Sequence, residues 1–106
     1  MGDEIATEDT VSLQERVTLT NIRGLHARAS AKFVTCAERY SSLVKVTSHN
    51  SVGAETVIAD SVMELLMLGS AVGEDITISV TGEAEEAAAA LEALKTLVKN
   101  NFGETQ

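Results

Sequence analysis

The sequence predicts an α+β domain: an open-faced sandwich with a four-stranded antiparallel sheet and three helices on one face. Three observations predict it. Stretches that alternate apolar and polar residues interleave with stretches of helical periodicity, in the order βαββαβα. The 106 residues suffice for one domain and not two. Aromatic residues make up only 3% of a chain that is 44% hydrophobic, so the core has to be aliphatic. The pattern alone leaves other split βαβ arrangements open.

Residues 1–14 are polar and aperiodic, and are expected to form a disordered leader. The folded domain is expected over 15–102, with a short tail over 103–106. From Arg16 to Asn21 the run Val17-Thr18-Leu19-Thr20 alternates, which predicts a half-buried strand with Val17 and Leu19 inward. Ile22 to Leu25 forms a loop in which Gly24 permits an unusual backbone angle. A helix is expected from Ala27 to about Tyr40. Ala29, Phe33, Cys36 or Ala37, and Tyr40 lie on one face of it; Arg28, Lys32, Thr35 and Arg39 lie on the other.

Val44 to Ser48 and Glu55 to Ile58 read as the next two strands. The turn residues His49-Asn50-Ser51 and Gly53 lie between them, with His49 expected in solvent. Ser61 starts a short helix ending near Gly69. Leu65 and Leu68 are its expected core contacts. Asp75 to Thr81 is the cleanest strand, with Ile76, Ile78 and Val80 inward. The last helix runs from Glu83 to about Asn101, with acids at its front and lysines at its back, as the helix dipole favours.

Charge narrows the function. The net charge of −8 speaks against general nucleic-acid binding. No apolar run is long enough for a membrane span, and the acidic start does not resemble a signal peptide. The single Cys36 allows no internal disulfide and fits a reducing, cytoplasmic setting. From Arg16 to Ala37, however, there are four bases and no acid. This basic island in an acidic chain is a candidate site for an anion or an acidic partner.

His26 lies in the middle of the island, in Gly24-Leu25-His26-Ala27-Arg28, where a strand-like run gives way to a helix. Backbone N–H groups at a helix start lack intrahelical partners, and the dipole there favours an anion. A neutral imidazole is nucleophilic near pH 7. A histidine at this position can therefore hold a phosphoryl group while Arg28, the backbone N–H groups of Ala27 and Arg28, and at the rim Arg23 and Lys32 stabilise its charge. A lone histidine is more often a plain cap or an exposed side chain. Here its context decides otherwise. His49 and Cys36 add no metal-ligand pattern, and no cofactor is expected.

This segment resembles the active-site segment of HPr, the phosphocarrier family of the bacterial phosphotransferase system, and most closely its nitrogen-type or regulatory members. The second helix start, Asp60-Ser61-Val62-Met63-Glu64-Leu65-Leu66-Met67-Leu68-Gly69, resembles that family too, and the match spans roughly Glu15 to Asn101. The resemblance implies the open-faced fold. It also implies a carrier that accepts a phosphoryl group on Nδ1 of His26 from enzyme I and passes it to an enzyme IIA-type domain, with Arg28 beside it. Ala29 stands where many members carry proline.

Ser61-x-x-Glu64 is a capping-box pattern. The resemblance adds a second role, regulatory phosphorylation of Ser61 by an HPr kinase/phosphorylase. Val62, Met63 and Leu66 exceed what one short helix buries, and are expected to form the partner surface. The chain is expected to act as a cytoplasmic monomer without turning over substrate alone. The rival reading is a regulatory interaction module that signals through Ser61 with little flux through His26.

Overall fold

Seven elements follow one another in the computed structural model, which describes residues 10–50 and 53–105. They are β1 (Thr10–Thr18), α1 (Ala27–Ala37), β2 (Leu43–His49), β3 (Thr56–Ile58), α2 (Val62–Met67), β4 (Asp75–Glu83) and α3 (Ala84–Lys99). A single 3-10 turn, Asn101–Gly103, follows α3.

The strands form one sheet in the order β1-β4-β2-β3, every neighbouring pair antiparallel. Alternation along β4 builds the core. Ile76 lies opposite Val17, while Ile78 and Val80 lie opposite Val46 and Val44. All six side chains are buried. The helices supply the other half: Ala29, Phe33 and Ala37 from α1, Leu65 from α2, and Ala87, Ala90, Leu94 and Val98 from α3. Burying each larger aliphatic or aromatic side chain stabilises the fold by roughly 1.5–3 kcal/mol. Leu65 and Leu68 both point into this core.

Three boundaries differ from the sequence reading. β1 starts at Thr10, so residues 10–14 belong to the sheet and not to the leader; Thr10 to Gln14 pair with Glu83 to Ser79. Val11 and Leu13 continue the inward alternation, but Glu15 interrupts it. Lys95 of α3 lies 3.5 Å from Glu15 and offsets that charge. The expectation of a disordered leader over the remaining residues 1–9 lies outside the described residues. α1 stops at Ala37, because Arg39 and Tyr40 turn to three-residue hydrogen bonds with Cys36 and Ala37. Glu86 then fixes Ser41 through its N–H at 2.8 Å and its hydroxyl at 2.6 Å. His49 is not in a solvent turn; it ends β2, is half-buried, and its Nε2 meets the Thr77 hydroxyl at 2.7 Å.

Candidate functional site

The segment between β1 and α1 is fixed at several points before it reaches His26. Leu19 is buried, donates to the Glu74 carbonyl at 2.9 Å and accepts from the Gly73 N–H at 2.8 Å. Asn21 closes the next turn: its carbonyl accepts from the Gly24 N–H at 3.1 Å, and its side-chain amide donates to the Gly24 carbonyl at 2.8 Å. Gly24 takes φ +62°, and a Cβ there would lie 2.5 Å from the Ser70 carbonyl oxygen. The same carbonyl accepts from the Leu25 N–H at 3.0 Å. Glycine is thus required twice over, for its backbone angle and for its space.

His26 is the N-cap of α1, in an extended conformation, and its carbonyl accepts from the Ser30 N–H at 2.8 Å. Its ring also caps the helix. Nδ1 accepts from the Arg28 backbone N–H at 3.3 Å. On the far side of the ring, Nε2 meets the Glu104 carboxylate in a short contact. The Arg28 N–H can only donate, so this bonding assigns the lone pair to Nδ1 and the proton to Nε2. No acid lies in the first turn of α1. The end of the helix dipole is therefore left to whatever the ring carries.

Glu104 reaches the site through an unusual turn. Asn101, Phe102 and Gly103 all have left-handed backbones, with φ of 57°, 55° and 73°. Phe102 is buried, and its carbonyl accepts from Lys32 Nζ at 2.7 Å. Asn101 accepts from the Thr20 hydroxyl at 2.5 Å. The expected tail over 103–106 is therefore partly folded onto the site. Burial pushes the Glu104 carboxyl up, but hydrogen bonds from His26 and Asn21 and the nearby Arg23 charge prevail and hold it below its ordinary value.

Arg23, His26, Arg28 and Lys32 line one depression of about 610 Å³ together with Ile22 and Glu104. Lys32 also spans to Phe102, so it braces the site as well as edging it. Ala27 is the exposed first residue of α1. Ser61 is the N-cap of α2, its hydroxyl accepting from the Glu64 N–H at 3.3 Å. On α2, Met63 is exposed, whereas Val62 and Leu66 are half-buried. Cys36 is half-buried; burial pushes its thiol up against the opposing pull of Arg39, so it is not an activated nucleophile. Among the described residues no helix is long and apolar enough to cross a membrane.

A family model described as the PTS HPr component phosphorylation site matches residues 13–100. This chain belongs to the HPr family. The phosphocarrier protein HPr of Cupriavidus necator is 38% identical over 92 residues, covering 87% of this chain and 97% of that protein. The phosphocarrier protein NPr of Shewanella violacea is 36% identical over 92 residues, covering 87% and 94%. Among solved structures, HPr of Thermoanaerobacter tengcongensis superposes with a TM-score of 0.76 at 32% identity, covering 89% of this chain and 99% of that one. HPr of Bacillus anthracis gives 0.73 at 34% identity, covering 83% and 98%. The open-faced sandwich is thus the family fold, and the chain is an HPr-type phosphocarrier of the phosphotransferase system.

Sequence reasoning missed three residues that lie at or beside this candidate site: Glu104, Asn21 and Met67. Glu104 and Asn21 touch through 83 residues of separation, which no local pattern encodes. The Asn100-Asn101-Phe102-Gly103 run did carry a signal, since Asn and Gly favour left-handed helix endings. Met67, 74% exposed, continues the apolar surface of Met63 by one helical turn.

Proposed function

We propose that His26 is the residue that carries the phosphoryl group, on Nδ1, between enzyme I and an enzyme IIA-type acceptor. The observation that supports this is the pose of the ring: Nδ1 faces a helix start and holds only the long bond from the Arg28 N–H, and Nε2 is occupied by Glu104. The Nδ1 lone pair attacks phosphorus as the bond from phosphorus to the donor breaks and its electron pair leaves with the donor, and the 3.3 Å bond from the Arg28 N–H is given up. That N–H then turns to a phosphate oxygen, with the Ala27 N–H and the Arg28 guanidinium as further donors. A charge-assisted hydrogen bond contributes roughly 1.5–3 kcal/mol, and the helix end about 0.3–1 kcal/mol more. Arg23 and Lys32 add positive charge at the rim. The phosphate is thus held well enough to persist and loosely enough to leave.

Donor and acceptor dock on the face where Met63, Val62 and Leu66 lie, extended by Met67 and by the exposed Ile22 beside His26. The carrier acts as a cytoplasmic monomer and needs no metal or cofactor of its own. The test is incubation with enzyme I and phosphoenolpyruvate. An acid-labile, base-stable phosphate that His26→Ala abolishes is expected; the same phosphate on His26→Ala protein overturns the assignment.

One observation favours a second, regulatory reading. The Ser61 hydroxyl caps α2 at a half-exposed position, one residue from Val62 and two from Met63. A phosphate there places about −1.5 to −2 charges at the edge of the docking face. An acid-stable phosphate added by HPr kinase/phosphorylase with ATP, and missing from Ser61→Ala, supports this reading. No Ser61 ester under those conditions excludes it.

A further inference from the structure

We propose that Asn21 and Glu104 form a latch that keeps a proton on Nε2 of His26 both before and after phosphorylation, so that Glu104 is a positioning residue for the ring and Asn21 a positioning residue for Glu104. This rests on His26 being the carrier residue.

Asn21 is fully buried, an unusual place for an amide. Its Nδ2 divides its two hydrogens between the Gly24 carbonyl at 2.8 Å and Glu104 Oε1 at 3.1 Å. Its Oδ1 has no hydrogen-bond partner among the described residues. A partly unsatisfied amide in the interior costs stability, so its presence calls for an explanation. Here it ties the loop that presents His26 to the segment that carries Glu104. Glu104 in turn uses its second oxygen on Nε2. The left-handed turn and the Lys32 bond to Phe102 hold that segment from below.

The chemistry needs such a hold. The other charged groups lining the depression around the ring are positive: Arg28 and Lys32 from α1 and Arg23 from the loop, with the helix end itself beside them. On phosphorylation, Nδ1 donates its lone pair to phosphorus, and the donor departs with the electron pair of the bond that breaks. The ring now bears a positive charge, with hydrogen on Nε2 and phosphorus on Nδ1. On transfer, the N–P bond breaks, its electrons return to Nδ1, and a neutral imidazole remains. No proton moves in either step. Were Nε2 to lose its proton, the leaving group would be an imidazolide anion, a far poorer one. Glu104, across the ring from the phosphate, keeps that proton in place, as a buried carboxylate does for a catalytic imidazole.

The test uses the full chain and two readouts. Nitrogen-15 NMR of His26 reports the tautomer without any phosphoryl transfer. The unmodified protein is expected to show hydrogen on Nε2 alone. Glu104→Ala should yield a mixture of tautomers, Asn21→Ala a smaller shift the same way, and Glu104→Gln should retain the Nε2–H form. The second readout is phosphoryl transfer from protein phosphorylated chemically with phosphoramidate, followed against pH. Glu104→Gln and Glu104→Ala should lose on the order of tenfold in rate on the alkaline side. An unchanged tautomer and pH profile in Glu104→Ala overturns the proposal. An altered Glu104→Ala beside an unaltered Asn21→Ala overturns the latch. Asn21→Ala also loosens the Gly24 turn, so Glu104→Ala, which leaves that turn intact, decides if Asn21→Ala fails to fold. Failure of enzyme I to phosphorylate the chain would undo the carrier reading but leave the tautomer result standing.

Discussion

Lys32 Nζ donates to the Phe102 carbonyl at 2.7 Å, joining the middle of α1 to the left-handed turn 70 residues later. Lysine thus stabilises a turn that two non-glycine residues, Asn101 and Phe102, enter at a cost in backbone strain. Lys32→Met should keep the packing of the aliphatic stem and lose the bond. About 1 kcal/mol of stability is expected to go with it, read by urea denaturation. Amide hydrogen exchange over 101–105 should accelerate more than exchange in α3.

Gly24 and Gly69 offer an internal comparison. Both are left-handed, with φ of 62° and 65°, but a Cβ on Gly69 meets nothing within 4 Å, whereas one on Gly24 meets the Ser70 carbonyl. Gly69→Ala should cost about 1–2 kcal/mol, the price of the angle alone. Gly24→Ala should cost roughly 1–3 kcal/mol beyond that for the forced contact, and should slow phosphorylation of His26 as well. Urea midpoints of the two variants check the difference.

Phe102 is 1% exposed and Met63 64%. Phe102→Ala should lose about 3–5 kcal/mol, and Met63→Ala should stay within about 0.5 kcal/mol of the parent chain. In binding to enzyme I the order should reverse for protein that remains folded, with Met63→Ala the weaker binder. Thermal unfolding and calorimetric titration separate the two effects.

Acid should unfold the chain through a few identifiable carboxylates. Asp75 is held below its ordinary value by hydrogen bonds from Thr18 and Arg16, and Glu86 by the hydroxyl and then the N–H of Ser41. Glu104 lies low as well, its bonds from His26 and Asn21 outweighing burial. A depressed carboxyl stabilises the native state above its unfolded pKa and loses that contribution as pH falls through the folded one. The urea midpoint should therefore change little from these groups between neutrality and about pH 5, then drop as pH falls below about 4. Glu86→Gln should flatten part of that drop.

The core strands and helices could be read from the sequence because their inward residues recur at fixed spacing. Ile76, Ile78 and Val80 give β4 a clean alternation, and Ala29, Phe33 and Ala37 give α1 its buried stripe. The start of β1 was missed because Glu15 occupies an inward position and Lys95, 80 residues away, offsets its charge. The histidine and the basic residues of α1 were readable because they are neighbours in sequence on one helix start. Glu104 was not, since its place depends on a turn of unfavourable angles and on Asn21, 83 residues earlier in the chain.

The position of Glu104 also bears on how the protein is handled. A purification tag fused after residue 106 is separated by only two residues from Glu104, the side chain in contact with Nε2 of His26. A charged or histidine-rich extension there competes for the ring and for the basic rim around it. With His26 as the carrier residue, a handle there is expected to slow transfer more than one placed before residue 1, and the two tagged forms measured side by side check it.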